Sequence, residues 1–221
     1  MIRVVVADDQ AMVRAGLVTL LAAEPDFDVV AAVSDGLAAV TVAQQLRPDV
    51  VCMDIRMPGL DGIAATLRLC GPEVSEPIPV LILTTFDVDE YLFGALEAGA
   101  SGFMLKDAEP EDLMAGLRAV AAGEGTIDQS LTRRVLREVV VRRGSGPIAS
   151  GRVPDILTPR ELDILLLLAQ GLSNEDIAGE LFLEVSTVKS HLARMMPKLG
   201  VQSRLQAAVW AYRNRVVEIP G

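Results

Sequence analysis

The sequence predicts an α/β fold, a doubly wound five-stranded parallel sheet, with a small all-α helix-turn-helix domain behind it. Three observations carry that prediction. Apolar runs of strand length alternate with helical patterns as far as Ala122. Four of those runs end in polar groups on the same side: Asp8 and Asp9, Asp54, Thr84 and Thr85, and Lys106. Beyond Gly123 the alternation stops, and from Leu157 only short helical patterns follow.

Strands are expected near 2–7, 28–34, 49–54, 78–84 and 101–105, each an apolar run bounded by polar or turn-forming residues. Helices near 10–23, 36–46, 61–71, 88–98 and 109–121 fill the intervals. Five strands joined in this way fit the flavodoxin-like order 2-1-3-4-5. In such sheets ligands bind outside the carboxyl ends of strands 1 and 3, where the order reverses. Asp8, Asp9 and Asp54 flank that point.

The stretch VVCMDIRMPGLDG, Val50 to Gly62, holds the central carboxylate. Its apolar run drops Asp54 at the strand end and turns over Pro58 and Gly59 toward a new helix. Strands also end in Asp for turn chemistry alone, so the neighbours decide. A parallel sheet gathers three carboxylates, hydroxyls and one ammonium into a single crevice. Three clustered acids repel one another unless a cation joins them, and hard oxygen ligands with room for water suit Mg²⁺. Lys106 also reads as a solvated loop lysine, and Thr84 as an ordinary β-branched strand residue.

Composition agrees with a soluble, two-part protein. The 221 residues are 51% apolar, enough for buried cores, and Asp8 and Asp9 interrupt the first apolar run before it resembles a leader. No uncharged stretch reaches spanning length, so no membrane partner and a cytoplasmic location are expected. Cys52 reads as a small buried hydrophobe and Cys70 as a helix end, and one histidine argues against zinc. The net charge of −10 is unevenly spread. Through Gly125, 20 acids face 7 bases, for −13; the remainder has 10 acids and 13 bases, for +3. No acid falls between Val185 and Val217, whereas six bases do. A phosphate backbone responds to that local charge.

The domains are read as 1–122, a connector over 123–155, and 156–221. The connector carries Arg133, Arg134, Arg137, Arg142 and Arg143 on an expected helical arm near 130–142, then the flexible run GSGPIASG. Thr158 and Pro159 open the next helix, RELDILLLLAQG, and Ser173 caps NEDIAGELF. A third helix is expected from about Ser186, with Val188, Leu192 and Met195 or Met196 on its buried face. Two short helices across a tight turn, the second basic, make a helix-turn-helix. Thr187, Lys189, Ser190 and Arg194 project outward from the third helix toward double-stranded DNA, with Lys198 limited to phosphate or solvent. His191 reads as a phosphate contact or as a satisfied, partly buried histidine. The tail SRLQAAVWAYRNRVV is amphipathic, its Ala, Val and Trp210 face a dimer contact or core packing.

Residues 1–122 resemble the receiver domain of a two-component response regulator, through Asp8 and Asp9, Asp54, the Met57-Pro58-Gly59 turn, Thr84 and Lys106. LTPRELDIL, GLSNEDIA, TVKSHL and KLGV resemble the LuxR-type module, and the whole chain is similar to NarL/FixJ-type regulators. The resemblance implies phosphoryl transfer from a sensor histidine kinase onto Asp54, with Mg²⁺ held by Asp9, Asp54 and the backbone carbonyl of Arg56, and Asp8 acting through water. Lys106 and Thr84 then face the phosphoryl oxygens. Phe103 matches the family's switch aromatic, and reads also as a core residue. The chain is thus expected to be a regulator rather than an enzyme, forming a homodimer on phosphorylation or DNA binding. A Mg²⁺-dependent phosphatase of the haloacid dehalogenase type is the rival, but it wants an Asp where Arg56 stands. A regulator that binds DNA constitutively is a further alternative, disfavoured by the intact acid, Thr and Lys set. Two departures touch the DNA module. Glu184 stands where Ser commonly caps the third helix, which moves the cap toward Ser186, and Pro197 falls inside that helix, which is expected to end or bend there.

Overall fold

The computed structural model describes residues 1–86, 88–123, 126–127, 156–201, 203–214 and 216–217. The chain divides into two compact units, Met1–Ile127 and Asp128–Gly221. The expected helical arm near 130–142 and the GSGPIASG run lie outside the described residues.

In the first unit, strands β1 (Ile2–Ala7), β2 (Phe27–Val33), β3 (Val50–Met53), β4 (Val80–Thr84) and β5 (Gly102–Leu105) alternate with helices α1 (Ala11–Ala22), α2 (Gly36–Leu46), α3 (Gly62–Cys70), α4 (Asp89–Glu97) and α5 (Pro110–Ala121). All pairings are parallel, in the order β2-β1-β3-β4-β5. β4 starts two residues later than the apolar run suggests because Pro79 has no amide to give the ladder; its carbonyl still accepts from Val51 N. One further strand, β6 (Thr126–Ile127), pairs parallel to β5, with Gly102 opposite Thr126. The alternation therefore does not stop at Gly123. Two residues of edge pairing are too short to leave a periodic signal.

Helix starts follow side-chain chemistry. Asp35 accepts from Ala38 N at 2.8 Å to cap α2, and Asp61 from Ala64 N at 2.7 Å to cap α3. Pro110 opens α5. Val4, Val6, Cys52, Leu81, Leu83 and Met104 bury against α1 and α5. Their alternates along each strand, among them Val5, Met53, Ile82 and Phe103, are also buried and take the opposite face, on the side of α2 and α3. Both cysteines are buried, and burial pushes their thiols up to about 12.

The second unit contains α6 (Pro159–Ala169), α7 (Asn174–Leu181), α8 (Val185–Leu199) and α9 (Arg204–Arg213). Capping boxes join Thr158 to Glu161 and Ser173 to Asp176, so both helices that precede the basic one start where the sequence predicts. Ile164, Leu165, Ile177, Val188, Leu192 and Met195 form the core. Met195 rather than Met196 is the buried methionine. α8 departs from expectation at both ends. Glu184 is its amino cap without any side-chain capping bond, so the cap does not move to Ser186. The helix also continues through Pro197 to Leu199 and ends at Gly200, φ 68. Proline so near a helix end removes one bond, to the carbonyl of Ala193, and leaves the remaining turn intact. Ala207 and Ala211 of the tail helix are buried where α9 packs on α6 and α8, so that face serves the module's own core.

Candidate functional site

The crevice at the carboxyl ends of the strands is assembled by the register itself. Ala7 lies opposite Met53, and Asp54 N donates to the Ala7 carbonyl at 2.8 Å, so Asp8 and Asp54 leave adjacent strands side by side. Across the sheet, Lys106 N donates to the Thr84 carbonyl at 2.8 Å, which brings the end of β5 level with the end of β4. Lys106 then reaches back, its Nζ 3.0 Å from Asp54 Oδ2 and 2.6 Å from Asp8 Oδ2. The Asp54 contact is an aligned hydrogen bond, whereas Asp8 Oδ2 is paired by charge but off the hydrogen-bond axis.

Asp54 is 4% exposed, and Ile55 N donates to its Oδ1 at 2.8 Å. Burial raises its carboxyl above the usual range, against the opposing pull of Lys106. Burial alone would lower the Lys106 ammonium, but Asp8 and Asp54 together hold it above its ordinary value. Gly62 fixes the floor of the site. Its N–H donates to the Ile55 carbonyl at 2.8 Å, and a Cβ there would collide with the Asp54 carbonyl oxygen.

Asp8, Asp9 and Asp54 each offer a carboxylate oxygen within 4.8 Å of the others, with Asp9 exposed and the other two buried. Three carboxylates against one ammonium leave two surplus negative charges, in an all-oxygen donor set that fits a hard divalent cation. A cleft of about 510 Å³ opens beside them, lined by Asp9, Arg56, Met57, Asp61 and Tyr91. The Arg56 guanidinium stands 4.9 Å over the Phe86 ring, whose edge meets Tyr91 with centroids 5.9 Å apart. Strand and helix periodicity gives no sign of this stack, which links two loops. Thr84 is fully buried and its Oγ1 accepts from Phe86 N at 3.3 Å. Phe103 is 1% exposed, packed on the sheet opposite Ile82.

On α8 the buried stripe is Val188, Leu192, Met195 and Leu199, and the opposite side carries exposed Lys189, Ser190 and Arg194. Thr187 and His191 are half-buried at its borders. Ser190 Oγ donates to the Ser186 carbonyl at 2.8 Å, which leaves the hydroxyl oxygen free to accept. Ser186 and Ala193 share this exposed side and are additions to the expected set; helical spacing from Ser190 locates both. Lys198 does not join it. Its Nζ lies 2.7 Å from both carboxylate oxygens of buried Glu161, so the ammonium, though on an exposed residue, is paired within the module.

Residues 4–118 match the response regulator receiver domain family, and residues 155–211 match the luxR family of bacterial regulatory proteins. The chain is 41% identical over 217 residues to the transcriptional regulatory protein LiaR of Bacillus subtilis (strain 168), covering 98% of this chain and 100% of that protein. It is 38% identical to the oxygen regulatory protein NreC of Staphylococcus epidermidis, covering 98% and 99% of the two chains. Among solved structures it resembles the response regulator ChrA of a haem-sensing two component system, with TM-score 0.51, 39% identity and 98% of each chain covered. It also resembles RcsB in a structure of two RcsB dimers bound to two parallel DNAs, with TM-score 0.56, 26% identity, and 93% and 96% covered. With both modules matched in order along one chain, the protein belongs to the two-component response regulators that join a receiver domain to a LuxR-type helix-turn-helix, and is a DNA-binding transcriptional regulator.

Proposed function

We propose that a sensor histidine kinase transfers a phosphoryl group to Asp54, and that the phosphorylated chain binds double-stranded DNA as a homodimer. The observation that carries this reading is the meeting of Asp8, Asp9 and Asp54 within 4.8 Å, with the Lys106 ammonium 3.0 Å from Asp54. An Asp54 carboxylate oxygen attacks phosphorus in line with the departing imidazole nitrogen: the O–P bond forms, the N–P bond breaks, and the electron pair leaves with the imidazole. Lys106 opposes the charge on the transferred group, and the Thr84 hydroxyl donates a hydrogen bond to it. Asp9, Asp54 and the Arg56 carbonyl would hold Mg²⁺, with Asp8 acting through water, and the bound ion would neutralise charge on the phosphoryl oxygens. The domains of this scheme are a receiver at 1–122, a connector at 123–155 and a DNA module at 156–221.

Adding about two negative charges at Asp54 redirects Lys106 and Thr84, and Thr84 and Phe103 then reset the neighbouring surface for self-association. On the DNA side, Thr187, Lys189, Ser190, His191 and Arg194 contact base edges or phosphates. A two-fold dimer calls for a pseudo-palindromic site. Kinase and DNA place the protein in the cytoplasm. The test is labelling by acetyl phosphate with Mg²⁺, which Asp54→Ala should abolish, followed by sedimentation with and without phosphorylation. Wild-type labelling in the variant, or one unchanged monomer population on and off DNA, refutes the corresponding half of the scheme.

A further inference from the structure

The turn ahead of α8 breaks two local rules at once. Phe182 caps the carboxyl end of α7 at φ 54, a left-handed conformation that favours glycine or asparagine, and it is 95% exposed. A bulky aromatic there is strained and gains nothing from burial. Two residues on, Glu184 holds the amino-cap position of α8, where Ser, Thr, Asp or Asn would satisfy a free amide. Its backbone carbonyl accepts from Thr187 N and Val188 N, but its exposed side chain makes no capping bond and no other hydrogen bond or ion pair among the described residues.

The turn is nonetheless held firmly. Phe182 N donates to the Gly179 carbonyl at 3.3 Å and Leu183 N to that of Ala178 at 2.9 Å, while Arg160 on α6 donates to the Leu181 carbonyl at 2.7 Å. Residues that cost stability, yet are rigidly presented, mark function. Charge narrows the choice of ligand. Glu184 is the last acid before Glu218 and is followed by six bases, so it sits at the entrance to the basic, phosphate-facing helix. A carboxylate there is repelled by phosphate unless it meets a donor. In the major groove the donors are the cytosine N4 and adenine N6 amino groups, and the adjacent adenine N7 acceptor repels a carboxylate.

We propose, on the DNA reading given above, that the turn from Phe182 to Glu184 is a second base-reading element: Glu184 accepts a hydrogen bond from cytosine N4, and Phe182 packs on the methyl of a neighbouring thymine. The amino end of the second helix of such a motif enters the major groove, which brings the residues just ahead of it to the base edges. Glu184 and Phe182 therefore set sequence preference at base pairs adjoining those met by Lys189 and Ser190.

The test is selection from a randomised duplex DNA library by the full-length phosphorylated chain and by two variants, each chosen to relieve a local cost so that misfolding does not mimic the result. Glu184→Ser supplies a cap, and Phe182→Asn tolerates the left-handed conformation. Both should melt at or above the wild type, followed by the fluorescence of Trp210, the single tryptophan. Glu184→Ser should lose about tenfold or more of the preference for cytosine at one position in each half-site, the rest of the motif unchanged. Phe182→Asn should bind the selected site about fivefold more weakly, with affinity for random duplex unaltered. An unchanged motif in Glu184→Ser, unchanged affinity in Phe182→Asn, or a lower melting temperature in either overturns the inference. A wild-type chain that selects no motif instead overturns the DNA reading on which it rests.

Discussion

Lys198 donates to both carboxylate oxygens of Glu161, each at 2.7 Å, across 37 positions of sequence. The same Glu161 side chain accepts from Thr158 N at 2.8 Å and from Thr158 Oγ1 at 3.0 Å. One buried acid thus ties the start of α6 to the end of α8, and so orients the basic helix.

Burial pushes the Glu161 carboxyl up, but Lys198 and Thr158 outweigh it and hold it below its ordinary 4.5. A depressed acid contributes stability that is fully present above pH 4.5 and is lost as pH falls through the folded value. Trp210 fluorescence should therefore report acid destabilisation of the second unit below that pH, and Glu161→Gln should flatten the dependence. Lys198→Met should cost about 1–2 kcal/mol at neutral pH, a value reduced because the lysine is partly exposed. Base preference should stay as in the wild type; a changed motif would return Lys198 to the DNA surface.

Gly62→Ala should disturb the receiver from beneath. The added methyl meets the Asp54 carbonyl oxygen, backbone that cannot swing aside, so a loss of about 1–3 kcal/mol is expected from overpacking. Circular dichroism melting of the first unit, with acetyl phosphate labelling alongside, measures both consequences. Labelling and melting equal to the wild type would show that the loop can yield.

Magnesium should stabilise the receiver by mass action, by about 1–3 kcal/mol at concentrations well above its dissociation constant, and chelation should reverse the gain. Asp9→Asn removes an exposed member of the acid cluster with little effect on the core. The variant's melting temperature should respond weakly to Mg²⁺, and an equal shift in both proteins would exclude Asp9 from the ion's ligands.

Pro197→Ala returns an amide that can reach the Ala193 carbonyl in a helix already formed on both sides of the site. The second unit should gain about 1–3 kcal/mol, again seen through Trp210, with DNA preference unchanged. A loss of stability would mean that proline is required for the course of the last turn.

Period and direction are the properties that the residues alone reveal. Apolar runs and helical spacing located all five main strands and the nine helices described here, because burial of one face imposes those repeats locally. A parallel sheet delivers every strand's carboxyl end to one crevice, so Asp8, Asp54, Thr84 and Lys106 could be grouped from strand ends alone. Which partner each polar group takes depends instead on how the elements pack. Lys198 pairs with an acid 37 residues away, Arg56 lies over Phe86, and Gly62 is required by the Asp54 carbonyl, which the fold of the turn between them brings back against it. The two-residue β6 adds to an edge too briefly to show a period. Such pairings depend on distances across elements, whereas periodicity records only which side of an element faces away from water.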